Sequence, residues 1–390
     1  NAMTSTAVPS GSNNLGGCIA IVIDTNCSLD FDGINDYVNV PYTANLNPNI
    51  FTISAWAKVE GGQGSWRNIF SSRSNYKGYI IYAGDNNKWQ FWIGSGNWVW
   101  KVITGPDIVL NQWTHIAGTY DGTQMSLYVN GIIQGSLTAV TQSINTANPF
   151  RIGRASDNFY YHNGQIDEIR IWNDVRTQSE ILEYMHKEVA SDESGLVANY
   201  RMSDGSGTSL ADDSDNSYTG TLTNMDNDDW VTSYAPIGDL NSSYETDVEG
   251  IWSISGTSAS DASDGLTMTV GSTLSTGNFA VYGNNNTSGT STSDLGSVGS
   301  SIRTGRIWQV DESGTVAGTV TIDISDATGN SGQSGTASNY RLLYRSGTSG
   351  DFSSAGTGAS ISGDAVSFTS ISLEDGYYAL GGESDAYLTR

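Results

Sequence analysis

The chain is short of several things, and each shortage excludes a class of function. Basic residues are scarce: 17 Lys and Arg stand against 41 Asp and Glu, a formal net charge of −24. Such a field repels phosphate backbones and anionic headgroups, so neither nucleic acid nor a lipid surface is an expected partner. Long apolar runs are missing too. The longest, about Cys18 to Ile23, cannot span a bilayer as a helix, so no membrane insertion is expected. Histidine is limited to His115, His162 and His186, far apart and outside any HExxH or nucleophile-elbow context. There is no P-loop and no GxGxxG leading into a helix, which leaves nucleotide binding without support. Only two cysteines occur, Cys18 and Cys27, flanking an apolar strand and a DTN turn. In an oxidising compartment they would close a small loop as a disulfide, with two buried thiols as the alternative. A metal pair is disfavoured, because no CxxC spacing and no nearby His is present.

What the chain has is glycine and aromatic residues. Its 46 glycines against 6 prolines, with abundant Ser, Thr, Asn and Asp, describe short strands joined by tight turns. Eleven Trp and 20 Tyr exceed what a disordered chain would carry. After a polar start over 1–14, a strand-rich region runs over 15–190, with turn pairs Asp121-Gly122 and Asn130-Gly131 favouring hairpins. One helix is expected, over 177–188, because Thr177 and Glu180 have capping-box spacing. Residues 191–240 form an acidic connecting segment, packed on or near what precedes it. From 241 to 390 Trp thins out and Ser, Thr and Gly dominate between alternating strands such as LTMTV and GTVTIDI. That region reads as a second all-β module, an Ig-like sandwich.

The segments LDFDGINDYVNVP (29–41), FTISAWAKV (51–59), NQWTHIAGTYDGT (111–123), LYVNG (127–131), FRIGR (150–154) and GQIDEIRIWNDVRTQSEI (164–181) match one family in order and spacing. The first module resembles the laminin-G-like, concanavalin A-type jelly roll of lectins, pentraxins and secreted bacterial proteins. The stretches FAVYGNNN (279–286), RIWQVDESG (306–314) and LEDGYYALG (373–381) are similar to an uncharacterised β-sandwich module of secreted bacterial surface proteins. The fold class is therefore all-β, a jelly roll followed by a sandwich. The resemblance says less about function, since this fold hosts lectins, protein-binding modules and glycanases.

Two kinds of acidic site are implied. The turn FDGINDYVNV is rich in residues that tolerate a left-handed backbone, and its oxygens would also suit a hard cation. Related jelly rolls often hold calcium between this turn and the Asp of the late GQIDE motif. Asp32, Asp36 and Asp167 would then be the ligands, with Asn35 standing where a second acid is usual. Glucanases of the superfamily carry an ExDxE strand whose outer acids share a face as nucleophile and proton donor. Here the positions flanking Asp167 are Gln165 and Ile169, and strand alternation puts Glu168 on the opposite face from Asp167. No acid pair, hence no catalysis, is expected.

Aromatic residues crowd the stretch from Trp66 to Trp100. Sugar rings stack on aromatic planes, while Asn and Arg bind hydroxyls. In KWQFWI the alternation sends Trp89, Phe91 and Ile93 to the core and leaves Trp92 beside polar neighbours. In NWVWKVIT the solvent preference of Lys101 sends Trp98, Trp100 and Val102 inward. The ligand-facing candidates are therefore Trp66, Arg67, Asn75, Tyr76 and Trp92, with Tyr160 and Tyr161 from a late loop. These readings together describe a secreted or cell-surface, non-catalytic, carbohydrate-binding or adhesion protein with structural calcium. Its partner would be a polysaccharide or glycoconjugate, with other surface proteins as a second class. A glycanase relative and a protein-binding adhesin module are the alternatives.

Overall fold

The computed structural model describes residues 26–155, 159–261, 263, 265–330 and 335–383. Cys18 lies outside them, so the expected bond to Cys27 does too; Cys27 itself is buried at the start of the first strand.

The N-terminal unit is built, in chain order, from β1 (Cys27–Asp32), β2 (Tyr37–Val40), β3 (Phe51–Val59), β4 (Arg67–Arg73), β5 (Lys77–Ala83) and β6 (Lys88–Ser95). It continues with β7 (Trp100–Asp107), β8 (Trp113–Tyr120), β9 (Met125–Val129), β10 (Ile132–Leu137), β11 (Phe150–Ile152) and β12 (Asn163–Trp172). A short helix α1 (Gln178–Tyr184) and the strands β13 (Leu196–Tyr200), β14 (Ser209–Leu210), β15 (Gly220–Thr223) and β16 (Trp230–Thr232) complete it. One sheet has the order β10-β9-β8-β3-β12-β1-β16, with β13 also on β12; the other runs β14-β15-β2-β11-β4-β5-β6-β7. Their inner faces enclose one core that includes Phe51, Trp89, Phe91, Ile93, Tyr200 and Trp230. This is a jelly-roll sandwich, as the sequence implied.

The acidic segment 191–240 does more than lie on this sandwich. It supplies β13 through β16, which hydrogen-bond to β12, β2 and β1, and it buries Tyr200, Leu210, Leu222 and Trp230 in the core. Helix α1 carries the expected capping box, Thr177 with Glu180, but ends at Tyr184 rather than 188. The chain leaves the helix there because Lys187 forms a bridge to Gly238.

The C-terminal unit is a pair of antiparallel sheets. One joins Thr246–Trp252, Phe279–Asn284, Trp308–Ser313, Gly376–Gly382 and Tyr340–Arg345; the other joins Leu266–Val270, Ala317–Asp323 and Ala365–Ser372. Trp308, Tyr340 and Phe368 fill the core between them.

The two units share an apolar junction rather than a tether. Trp56, Trp113 and Met185 of the jelly roll cluster with Leu240, Val248, Trp252 and Phe279. The Trp56 and Trp252 rings meet edge to face with centroids 5.5 Å apart. The buried His186 ring lies 5.8 Å from Trp56 and 5.1 Å from Trp252, and its Nδ1 is 2.8 Å from the Pro236 carbonyl. A Cβ on Gly250 would fall 2.5 Å from that ring, so the close approach needs glycine there.

Candidate functional site

The aromatic residues divide according to strand alternation. On β6, Trp89, Phe91 and Ile93 are buried in the core and Trp92 stands on the outer face, half-buried, as expected. On β7 the expectation fails. Ile103 enters the core and Lys101 lies on the same side, so Trp100 and Val102 point outward, Val102 opposite Trp92. The physical reason is that β7 is the edge strand. The core ends before Lys101, whose stem can run along the sheet rim and carry its ammonium to water. Trp98, in the turn before β7, is 82% exposed.

Across this outer face the registers align Tyr82 with Gln90 and Thr104, then Ile80 with Trp92 and Val102, then Gly78 with Gly94 and Trp100. A pocket of about 370 Å³ lies over these rows, lined by Trp66, Arg73, Asn75, Tyr76, Ile80, Tyr82, Trp92, Trp100 and Tyr160. Trp66, Tyr82, Trp92, Trp100 and Tyr160 meet edge to face, and Tyr76 is tilted against Trp100. Trp92 lies 6.2 Å from Trp66, 5.7 Å from Tyr82 and 5.9 Å from Trp100. Tyr160 lies 5.3 Å from Trp66, and Tyr76 lies 5.9 Å from Trp100 and 5.2 Å from Trp98. Gln90 ties down two indoles, accepting from Trp92 Nε1 at 2.9 Å and Trp66 Nε1 at 3.4 Å. Arg73 donates to the Tyr82 hydroxyl at 3.1 Å and lies 5.5 Å from the Trp100 ring.

The backbone under these rings is unusual. Ser74–Lys77 and Gly96–Val99 are closed by hydrogen bonds of 2.9 Å, each with a two-residue loop between. The loops are Asn75-Tyr76 and Asn97-Trp98, with φ of 44° and 63°, and of 50° and 65°. Such turns favour Asn followed by Gly; here an aromatic residue occupies the glycine position twice. Tyr160 has φ 65° as well. Among the described residues, these three are the only aromatic ones with positive φ, and all three are part of this ring assembly.

Of the seven ligand-facing candidates, Trp66, Asn75, Tyr76, Trp92 and Tyr160 are brought together here. Arg67 is not. It is buried, its guanidinium donating to the carbonyls of Gly61 and Gly84 at 2.9 Å, and so it ties loops together. Tyr161 turns away from Tyr160, towards Arg154 at 5.9 Å from its ring. Arg73, Tyr82 and Trp100 escaped the sequence reading, although the twin Asn-aromatic pairs were a readable sign of the turns that frame them.

The acidic sites also differ from expectation. Asp32 Oδ1 accepts from the backbone N–H of Ile34 and Asn35, and Asp36 Oδ2 accepts from that of Asp32. These carboxylates fold the turn. Burial, with Asp32 and Asp229 nearby, pushes the Asp36 carboxyl up to about 6. Asp167 is elsewhere: Asp32 pairs with Asn163, four residues earlier on β12. At about 3.3 Å per residue the separation is roughly 13 Å, whereas calcium requires each oxygen within about 2.6 Å. The proposed ligand set Asp32, Asp36 and Asp167 is therefore not assembled, and no group of three such side chains among the described residues forms a metal site.

Strand alternation fails on β12 as well. Pairing with β3 slips between Asp167 and Arg170, and Glu168 adopts φ 48°. This bulge keeps Ile166, Ile169 and Ile171 in the core and turns Asp167, Glu168 and Arg170 together to the outer face. Glu168 thus shares a face with Asp167, contrary to expectation. Both acids are nevertheless engaged. Glu168 Oε2 accepts from Arg170 Nη2 at 2.6 Å, and Asp167 accepts from the Glu168 N–H at 2.8 Å and from Ser233 Oγ. Burial beside Glu168 raises the Asp167 carboxyl well above the usual range. The two line a cavity of about 270 Å³ closed by Asp239, Phe279 and Asp311.

The geometry coincides with a family match. A model described as the concanavalin A-like lectin/glucanases superfamily covers residues 32–182, and a domain of unknown function covers 238–377. Residues 32–182 are a concanavalin A-like lectin/glucanase domain. The chain is 27% identical over 181 aligned positions to human pappalysin-1, an alignment spanning 40% of the chain but only 11% of that protein's length. Among solved structures, a protein of Bacteroides ovatus provisionally described as carbohydrate-binding aligns with 54% of this chain and 62% of its own, at 19% identity and a TM-score of 0.42. The carbohydrate-binding module of a Ruminococcus gnavus sialidase aligns over 41% of this chain and 99% of its own, at 13% identity and a TM-score of 0.35.

Proposed function

We propose that the protein is a secreted or cell-surface, non-catalytic, lectin-like protein that binds a polysaccharide or glycoconjugate in the aromatic pocket on the outer face of β4–β7. One observation carries the reading: Tyr76, Trp98 and Tyr160 all adopt left-handed backbone, and all belong to one ring assembly. An L-residue there costs about 1–2 kcal/mol, a cost that glycine avoids. Strain of this kind gathers where a side chain is needed for a ligand. Steeply inclined indole and phenol rings around Arg73 and Asn75 offer apolar planes for sugar C–H faces and donors for hydroxyls.

Hydrolysis is not part of the proposal. Asp167 and Glu168 lie on the outer face of the opposite sheet, more than the sheet spacing of about 10 Å away, and each already accepts a hydrogen bond. A glycan array tests the binding, with Trp92→Ala as control. Wild-type protein is expected to retain at least one glycan, and Trp92→Ala to lose it by a factor of about 100 while remaining folded, because Trp92 is half-buried at the surface. An array with no retained glycan, or full retention by Trp92→Ala, refutes the assignment. Release of reducing ends that depends on Glu168 would contradict the non-catalytic part.

A further inference from the structure

We infer that the pocket, extended by Trp98, is a track that takes an internal stretch of a linear oligosaccharide of several units, with Trp98 as its outermost stacking position. This rests on the glycan reading above and adds the class of ligand: a chain bound along its length, not a single terminal sugar. The rings form a continuous series, Tyr160, Trp66, Trp92, Trp100, Tyr76 and Trp98, whose successive centroids are 5.2 to 6.2 Å apart.

The sheet register makes the series directional. Trp66 is bonded to Gln90, Trp92 is two residues further along β6, Trp100 pairs with Gly94, and the Gly96–Val99 turn follows. From Gln90 to Gly96 is six residues, roughly 20 Å at strand spacing. That length exceeds a single pyranose and suits a short chain lying parallel to the strands. Trp98 lies at its far end, 82% exposed, with the Tyr76 ring 5.2 Å away. A Trp this exposed and held in left-handed backbone has its ring free for a ligand, and strain of this kind gathers at ligand sites.

Chain length is the readout. Cello-, laminari- and xylo-oligosaccharides of one to six units, titrated calorimetrically into wild-type protein and into Trp98→Ala, test the track. In the series that binds, affinity is expected to rise at least tenfold between two and five units. Trp98→Ala should lower the affinity of the longest member about tenfold, equivalent to about 1.4 kcal/mol, and leave the shortest bound member unchanged. Trp98 is too exposed for its removal to unfold the domain, and a coincident melting curve checks this. Affinity independent of length, or equal loss at every length, overturns the track while leaving glycan binding in place. No binding in any series, together with an empty array, overturns the glycan reading and the track with it.

Discussion

The two outer faces of the jelly roll have opposite fates. The face of β4–β7 is left open, and there rings lie half-buried over strained turns. The face of β3 and β12 is covered by α1, the 185–240 segment and the C-terminal unit, and there Trp56, His115, His186, Asp167 and Glu168 are buried. Similar residue types thus serve different ends. On the covered face Asp167 and Glu168 are matched to hydrogen-bond partners, burial pushes the His115 and His186 imidazoles down, and the aromatic residues cement two units. On the open face Trp98 combines left-handed backbone with a ring that is 82% exposed. Strain of this kind gathers at ligand sites, which is the ground on which the open face is proposed to bind one.

The covered face should dominate stability. Trp56→Ala removes a fully buried indole together with its bond from Nε1 to the Met185 carbonyl, 2.7 Å long. A loss of about 3–5 kcal/mol is expected, read as a fall in melting temperature, with glycan retention unchanged at temperatures where the variant is folded. Loss of retention in folded Trp56→Ala would mean that the two faces are not independent.

Acid should act on the same junction. Burial holds the His186 imidazole down at about 4, from an ordinary value of 6.5. A depressed folded value means that the contribution of neutral His186 is complete above pH 6.5 and is lost as pH falls from there towards 4. Wild-type should therefore lose about 2 kcal/mol relative to His186→Gln between pH 7.5 and pH 5. Comparing the two chains cancels the buried carboxylates, such as Glu249 raised to about 7, which act in the other direction. A stability difference that does not move with pH would show the imidazole to be hydrated at the junction.

How far the sequence foretold all this depended on where period-two alternation holds. The strands, the capping box and the inward face of KWQFWI followed from local pattern, because central strands have a core on one side, whereas the jelly roll followed from the family resemblance. Lys101 misled because β7 is an edge, where a charged residue can occupy the core side. The Asp167–Glu168 bulge was illegible, since a non-glycine residue gives no local sign that it will adopt φ 48°. Asp32 and Asp36 were correctly placed in one turn, but their distance from Asp167 is a matter of register. The interplay of the two units, set by Trp56, His186, Gly250 and Trp252, rests on contacts between residues far apart in the chain and had no local signature.

The smallest expected effect addresses the central claim most directly, that open-face rings are kept for a ligand at the expense of the fold. Trp98→Gly removes the exposed ring and relieves its left-handed backbone, whereas Trp98→Ala removes the ring and keeps the strain. Melting temperature and retention on the best polysaccharide from the array would be measured for both beside wild-type. The account predicts Trp98→Gly more stable than Trp98→Ala by about 1 kcal/mol, no less stable than wild-type, and as weak in retention as Trp98→Ala. A Trp98→Gly protein that melts below wild-type while holding the polysaccharide as tightly would show that Trp98 serves the fold, and would contradict it.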